Sequence, residues 1–131
     1  MEKLVTHNGI IMTKITKHII INVNFEFTAI HCWPDAKGKH EYLKYPHRHI
    51  FKCQVSLQVF HNDREVEFLA LKDALSNFCS ENWHNKNIGS KSCEMIAEEL
   101  YSFIAMNYPH RDTIINVSED GENGVTINYL H

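Results

Sequence analysis

No apolar run in this chain reaches the eighteen or so residues that a bilayer-spanning helix needs, so nothing reads as a membrane span. Glu2, His7 and Asn8 break up the N-terminus, which lacks the layout of a signal peptide. An excess of one charge is missing too. Thirteen Lys and Arg face sixteen Asp and Glu, and the formal net charge of −3 provides no basic footprint for nucleic acid. Three prolines and five glycines in 131 residues mark no linker, and neither repeats nor low-complexity stretches divide the chain. Cys32, Cys53, Cys79 and Cys93 are irregularly spaced with no C-x-x-C, which fits reduced thiols in a cytosolic protein better than a disulfide framework. These absences predict one soluble, cytoplasmic domain with no membrane or nucleic-acid partner, large enough to bury a core without disulfides.

What is present in quantity is histidine, ten in all. The stretch Tyr45-Pro46-His47-Arg48-His49 opens the strongest strand pattern, in which Phe51, Cys53, Val55, Leu57 and Val59 alternate with Lys52, Gln54, Ser56 and Gln58. Successive strand side chains point to opposite faces, so His47 and His49 share the apolar face and Arg48 points away. Two imidazoles a few ångströms apart are half a site for zinc or another borderline metal; the alternative is a pair of half-exposed residues at a strand end. An earlier run, Ile19, Ile21, Val23, Phe25, Phe27 and Ala29, alternates with polar residues and ends with His31 in phase. If the two strands pair antiparallel, His31 meets His47 and His49 at one end of the sheet. Three neutral imidazoles leave the fourth position of a tetrahedral zinc open, as catalytic sites do. His40, in the intervening loop from Cys32 to Pro46, is a rival ligand without a strand phase. Cys32 is turned away from His31 by strand alternation.

Residues 1–14 form an N-terminal extension or an extra edge strand around Ile10-Ile11-Met12, and residues 15–131 one domain. After a turn at His61–Arg64, Glu65–Phe68 predicts a short return strand. Phe68, Leu71, Leu75 and Phe78 give an amphipathic helix to about Cys79. A polar loop from Ser80 to Ser90 contains Trp83-His84. Ser92 is the N-cap of a second helix carrying Cys93, Ile96, Ala97, Leu100, Phe103 and Ile104 on one face. Glu94 suits the first turn of that helix electrostatically. The chain closes as a hairpin, Ile115 and Val117 turning at Asp120–Gly124 into Val125, Ile127 and Tyr129. Glu119 falls on the core face, where it needs an internal Lys or Arg, a ligand's N–H edge, or an exit to water. The order predicts an α+β domain, a four-stranded antiparallel sheet with two helices on one face. Its open edges favour oligomerisation.

Taken together, His31, His47-Arg48-His49, Val66-Glu67-Phe68, Ser92-Cys93-Glu94 and Ser118-Glu119 resemble the 6-pyruvoyl tetrahydropterin synthase family, which includes the queuosine-pathway 6-carboxytetrahydropterin synthases. Phe27-Thr28-Ala29-Ile30-His31 is similar to the family's F-x-A-A-H and His47-Arg48-His49 to its H-G-H. The resemblance spans about residues 18–131. It implies a tunnelling fold whose subunits join edge to edge into a barrel, as a hexamer or another multiple built from rings. It also implies His31, His47 and His49 as zinc ligands, Glu119 as the anchor for the pterin's N–H and amino group, and 7,8-dihydroneopterin triphosphate as substrate.

The departures lie in the proton carriers. Leu43 and Glu41 stand where the family's catalytic cysteine would lie, four or six residues before the H-x-H. Trp83-His84 replaces an Asp-His pair, and Asp120 replaces the threonine that follows the anchoring glutamate. Glu41 and His84 are therefore the expected catalytic groups. The leading expectation is a zinc-dependent lyase forming 6-carboxytetrahydropterin or a 6-pyruvoyl-type product. Alternatives are side-chain cleavage to 6-hydroxymethyl-dihydropterin with Glu41 as base, and a catalytically impaired oligomer that binds a pterin or purine.

Overall fold

The computed structural model describes the backbone of residues 2–7 and 10–131, and side chains from residue 14 onward. Strands β1 (Glu2–His7) and β2 (Ile10–Thr16) form an antiparallel two-stranded sheet of their own. The described part of the extension is thus two paired strands, of which β2 runs on to Thr16. The main sheet contains β3 (Ile19–His31), β4 (His47–Val59), β5 (Thr113–Glu119) and β6 (Asn123–Tyr129), antiparallel throughout and ordered β3-β4-β5-β6. Helices α1 (Phe68–Asn82) and α2 (Cys93–Asn107) pack against it, α1 over β3 and α2 over β5 and β6. The architecture is α+β, as expected.

Alternation decides which face is covered. Val23, Phe25, Phe27 and Ala29 of β3 and Phe51, Cys53, Val55, Leu57 and Val59 of β4 are buried, together with Leu71, Leu75 and Cys79 of α1 and Ile96, Ala97, Leu100 and Ile104 of α2. Burying a side chain such as Leu75, Ile96 or Leu100 contributes about 1.5–3 kcal/mol. All four cysteines are free, and Cys53 and Cys79 are core residues whose burial raises their pKa, that of Cys79 to about 12. Ser92 caps α2 as predicted, accepting from Met95 N–H at 3.1 Å.

Three expectations need correction. The return strand at Glu65–Phe68 does not form. That segment bends into α1, whose N-cap is Glu67, accepting from Ala70 N–H at 2.7 Å. Helix α1 continues past Cys79 to Asn82, and Phe68, expected on its apolar stripe, is exposed. The segment from Cys32 to Pro46 is not all loop: Gly38–Lys44 winds into a short 3-10 helix with no buried residue, so no hydrophobic period marks it. Residues 84–89 also lie against the outer edge of β3. Thr28 O accepts from Asn85 N–H, Ile30 N–H donates to Lys86 O, Ile30 O accepts from Ile88 N–H and Cys32 N–H donates to Gly89 O, at 2.7–3.0 Å.

An ion pair ties the far end of the sheet together. Arg111 Nη2 donates to Glu65 Oε2 at 2.7 Å and Nη1 to Gln58 O at 3.2 Å, and the guanidinium lies 4.8 Å from the Phe60 ring centroid. The Arg111 hydrogen bond, helped by Phe60 N–H, holds the Glu65 carboxyl below its ordinary range. The two side chains are only 15% and 20% exposed, so Glu65→Ala leaves a mostly buried cation without its partner. The expected loss is about 2–3 kcal/mol in urea unfolding at neutral pH, less than the ~3–5 kcal/mol of a fully buried pair. A depressed carboxyl pKa gives stability that is present above the ordinary 4.5 and lost as pH falls through the folded value. The gap between wild type and variant should therefore shrink in acid. An equal gap at about pH 7 and about pH 3 would contradict this account.

Candidate metal centre

Register brings the site together. His31 and His47 are Cα partners across β3 and β4, and His49, opposite Ala29, projects from the same face two residues on. Phe51 pairs with Glu119 across β4 and β5, which puts Glu119 on that face beside His49. The imidazole centroids of His31, His47 and His49 lie 4.6, 5.3 and 5.0 Å apart pairwise, and Phe51 meets the rings of His31 and His49 edge-on at 5.1 and 5.9 Å. The floor of the site is therefore apolar. His31 is buried, while His47, His49 and Glu119 are partly exposed.

Each ring is oriented through its Nδ1. His31 Nδ1 lies 2.8 Å from Lys91 O, His47 Nδ1 2.8 Å from Tyr45 O, and His49 Nδ1 2.7 Å from Asp120 Oδ2. Carbonyl and carboxylate oxygens only accept, so all three Nδ1 atoms carry a proton and donate. That leaves Nε2 as the nitrogen that can bind a metal, and metal-ligating histidines are held in this way. Glu119 Oε2 lies 3.2 Å from His31 Nε2 and 2.6 Å from His49 Nε2. One ligand atom from each of His31, His47, His49 and Glu119 fits within a mutual 4.8 Å, a group that can hold a metal ion. Ligand atoms about 2.0–2.2 Å from a tetrahedral ion sit about 3.3–3.6 Å apart, so this cluster is close to the required size. The Glu119–His49 contact would open, and the widest separations in the group would close, for all four to reach one ion. Converging lone pairs repel unless a cation, proton or metal, lies among them.

Beside the cluster is a cleft of about 340 Å³, lined by His31, His47 and Glu119, by Cys32, Trp33 and Leu43, and by Ser92, Cys93 and Glu94 at the start of α2. Gly124 forms part of the wall, where any Cβ would collide with Val117 O. Burial, and secondarily Glu119 and Glu94, push the Cys93 thiol up to about 12, and Cys93 is no member of the group that can hold a metal ion.

Of the residues expected from sequence, His31, His47, His49 and Glu119 are brought together. Of the environments anticipated for Glu119, the exit to water is met in part, since its side chain is 33% exposed; in place of an internal Lys or Arg it contacts His31 and His49. Glu41 stands on the 3-10 helix, exposed and paired with Lys44 Nζ at 3.1 Å. His84 is exposed, and its Nδ1 accepts from Thr28 N–H at 3.1 Å at the edge of β3. Neither lines the cleft within the chain. His40 is exposed on the 3-10 helix and is no part of the metal-holding group. Cys32 does line the cleft, contrary to the alternation argument, because β3 ends at His31 and the two-residue period ends with it. Asp120 orients the His49 ring, a role that sequence reasoning misses although its place directly after Glu119 is a usable signal. The Tyr45 and Lys91 carbonyls leave no trace in side-chain pattern.

Comparison with protein-family models gives no match, and comparison with curated protein sequences gives none either. The geometry itself generates a test. Purified protein should carry about one metal ion per chain by elemental analysis, and a His47→Ala, His49→Ala double variant should lose it. Metal retained at full stoichiometry in that variant would place the site elsewhere.

Proposed function

We propose that the chain is a zinc-dependent lyase of the 6-pyruvoyl tetrahydropterin synthase type, converting 7,8-dihydroneopterin triphosphate to 6-carboxytetrahydropterin in the queuosine or 7-deazaguanine pathway, or to a 6-pyruvoyl-type product. The carrying observation is the convergence of three Nδ1-oriented histidines on one point beside a cleft of ligand size. An imidazole-rich set with a carboxylate at this spacing suits zinc among the common divalent ions. Zinc held by His31, His47 and His49 would supply Lewis acidity toward the oxygens of the pterin side chain.

The remaining work falls to the chain's own groups. Glu119 lines the cleft as well as touching the histidines, and a carboxylate there can accept parallel hydrogen bonds from the pterin's N–H and amino edge. The apolar floor at Phe51 and the wall at Leu43 keep water from the ring-binding side. Glu41 and His84 remain the proposed proton carriers, reaching a cleft across a subunit boundary once copies join edge to edge into a barrel. The outer strands β3 and β6 are the edges available for that union. Light scattering at micromolar concentration should give a hexamer or another multiple of a ring. A monomer would remove the shared-site arrangement.

The second reading is a pterin- or purine-binding oligomer without turnover, favoured by the position of Glu41 and His84 outside the cleft lining of their own chain. Mass spectrometry of products from dihydroneopterin triphosphate separates the possibilities. The lyase yields 6-carboxytetrahydropterin or the 6-pyruvoyl product. In Glu41→Gln and His84→Ala turnover should fall about a hundred- to ten-thousand-fold with metal content unchanged. Release of 6-hydroxymethyl-dihydropterin would assign side-chain cleavage with Glu41 as base. No product, with a pterin bound in a Glu119-dependent way, would assign the binding role.

A further inference from the structure

We propose that Asp120 is the positioning residue of the metal centre, its carboxylate locking His49 into the form that offers Nε2 as a ligand. The proposal rests on the reading of His31, His47 and His49 as metal ligands. Asp120 is bound to β4 at three points. Its backbone N–H donates to Ile50 O at 2.7 Å, its Oδ1 accepts from Ile50 N–H at 2.9 Å, and its Oδ2 accepts from His49 Nδ1–H at 2.7 Å. Backbone geometry aims the side chain. Asp120 and Gly121 both have positive φ, 58° and 75°, and Glu122 N–H donates to Glu119 O at 3.0 Å, the pattern of a tight hairpin turn of primed type. Aspartate tolerates that conformation better than most residues. The turn folds the carboxylate of residue 120 back onto the strand next to its own.

Consecutive residues thereby grip opposite nitrogens of one ring, Glu119 at Nε2 and Asp120 at Nδ1. The other two rings are oriented by main-chain carbonyls. His49 differs in having an ionised acceptor, which makes a stronger hydrogen bond and a more strongly donating imidazole. Asp120 is also the one ring-orienting group among the three that a side-chain substitution can remove.

Both oxygens of Asp120 are in use as acceptors, one for Ile50 N–H and one for His49 Nδ1–H. An amide has only one acceptor oxygen. In Asp120→Asn the oxygen stays on Ile50 N–H, because the opposite orientation sets NH2 against N–H. The NH2 group then donates to His49 Nδ1, the ring proton moves to Nε2, and Nε2 is lost as a ligand. Asp120→Gly removes the carboxylate, suits the left-handed backbone, and leaves Nδ1–H to water, which can accept.

The two roles predict opposite rankings. A purely structural Asp120 would be replaced better by near-isosteric Asn than by Gly. A tautomer-setting Asp120 makes Asn the worse variant. Zinc alone is the probe, titrated against a chromophoric chelator on the full chain. Asp120→Asn should weaken zinc binding about 10–100-fold, and Asp120→Gly by less. In the metal-free proteins, 15N–1H correlation of the imidazoles should find His49 Nδ1 protonated in wild type and unprotonated in Asp120→Asn, with His47 unchanged. Equal affinity of wild type and Asp120→Asn, a protonated His49 Nδ1 in Asp120→Asn, or weaker binding by Asp120→Gly than by Asp120→Asn would overturn the role of Asp120 while leaving the metal centre in place. Failure of wild type itself to bind zinc would overturn the underlying reading, and this one with it.

Discussion

Thirteen Cα pairs join β3 to β4 without a slip, from Ile19 opposite Val59 to His31 opposite His47. Because side chains alternate with a period of two, moving that register by one residue would send every core side chain of one strand to the wrong face. The same move would separate His47 and His49 from His31. Core and histidine cluster therefore obey a single constraint, and the apolar residues that fix the ladder also hold the imidazoles in place. Phe51 belongs to both: it is fully buried in the core and lies against two of the histidine rings.

What could be read from the sequence was whatever repeats. Thirteen-residue strands supply enough alternation to fix a face, and a face plus a pairing direction is enough to place His31, His47 and His49 together. The helices followed from their apolar spacing and, for α2, from Ser92. Short elements were misread because they repeat too little. Glu65–Phe68 has a strand-like alternation only as long as a turn, and Glu67 is outside the residue types usually favoured as N-caps. Backbone acceptors such as Tyr45 O and Lys91 O are set by chain path, which residue identity does not encode. The partners of Glu119 are missed for a related reason. The pattern of β5 alone does not reveal them, because they come from β3 and β4.

On the helix-covered face, polar chemistry is kept at the two ends of the sheet, and the middle is left to packing. At one end the histidines and Glu119 gather acceptors around a shared point; at the other Arg111 and Glu65 cancel each other directly. The contrast is informative. The Arg111–Glu65 pair has opposite charges in contact and serves the fold as it stands. The histidine cluster satisfies its outer nitrogens and gathers its inner ones with Glu119 into a group that can hold a metal ion.

The segment that lies along β3 has a consequence for strand pairing. Thr28, Ile30 and Cys32 give their outward backbone groups to residues 84–89, so by the same period the outward groups of Ile20, Asn22, Asn24 and Glu26 are the remainder of that edge. That tract is about 23 Å long at the usual rise per residue. A foreign strand sliding along it meets residues 84–89 as an end-stop before it reaches the histidines. The barrier acts as a ruler, setting the furthest register that a strand added to this edge can take.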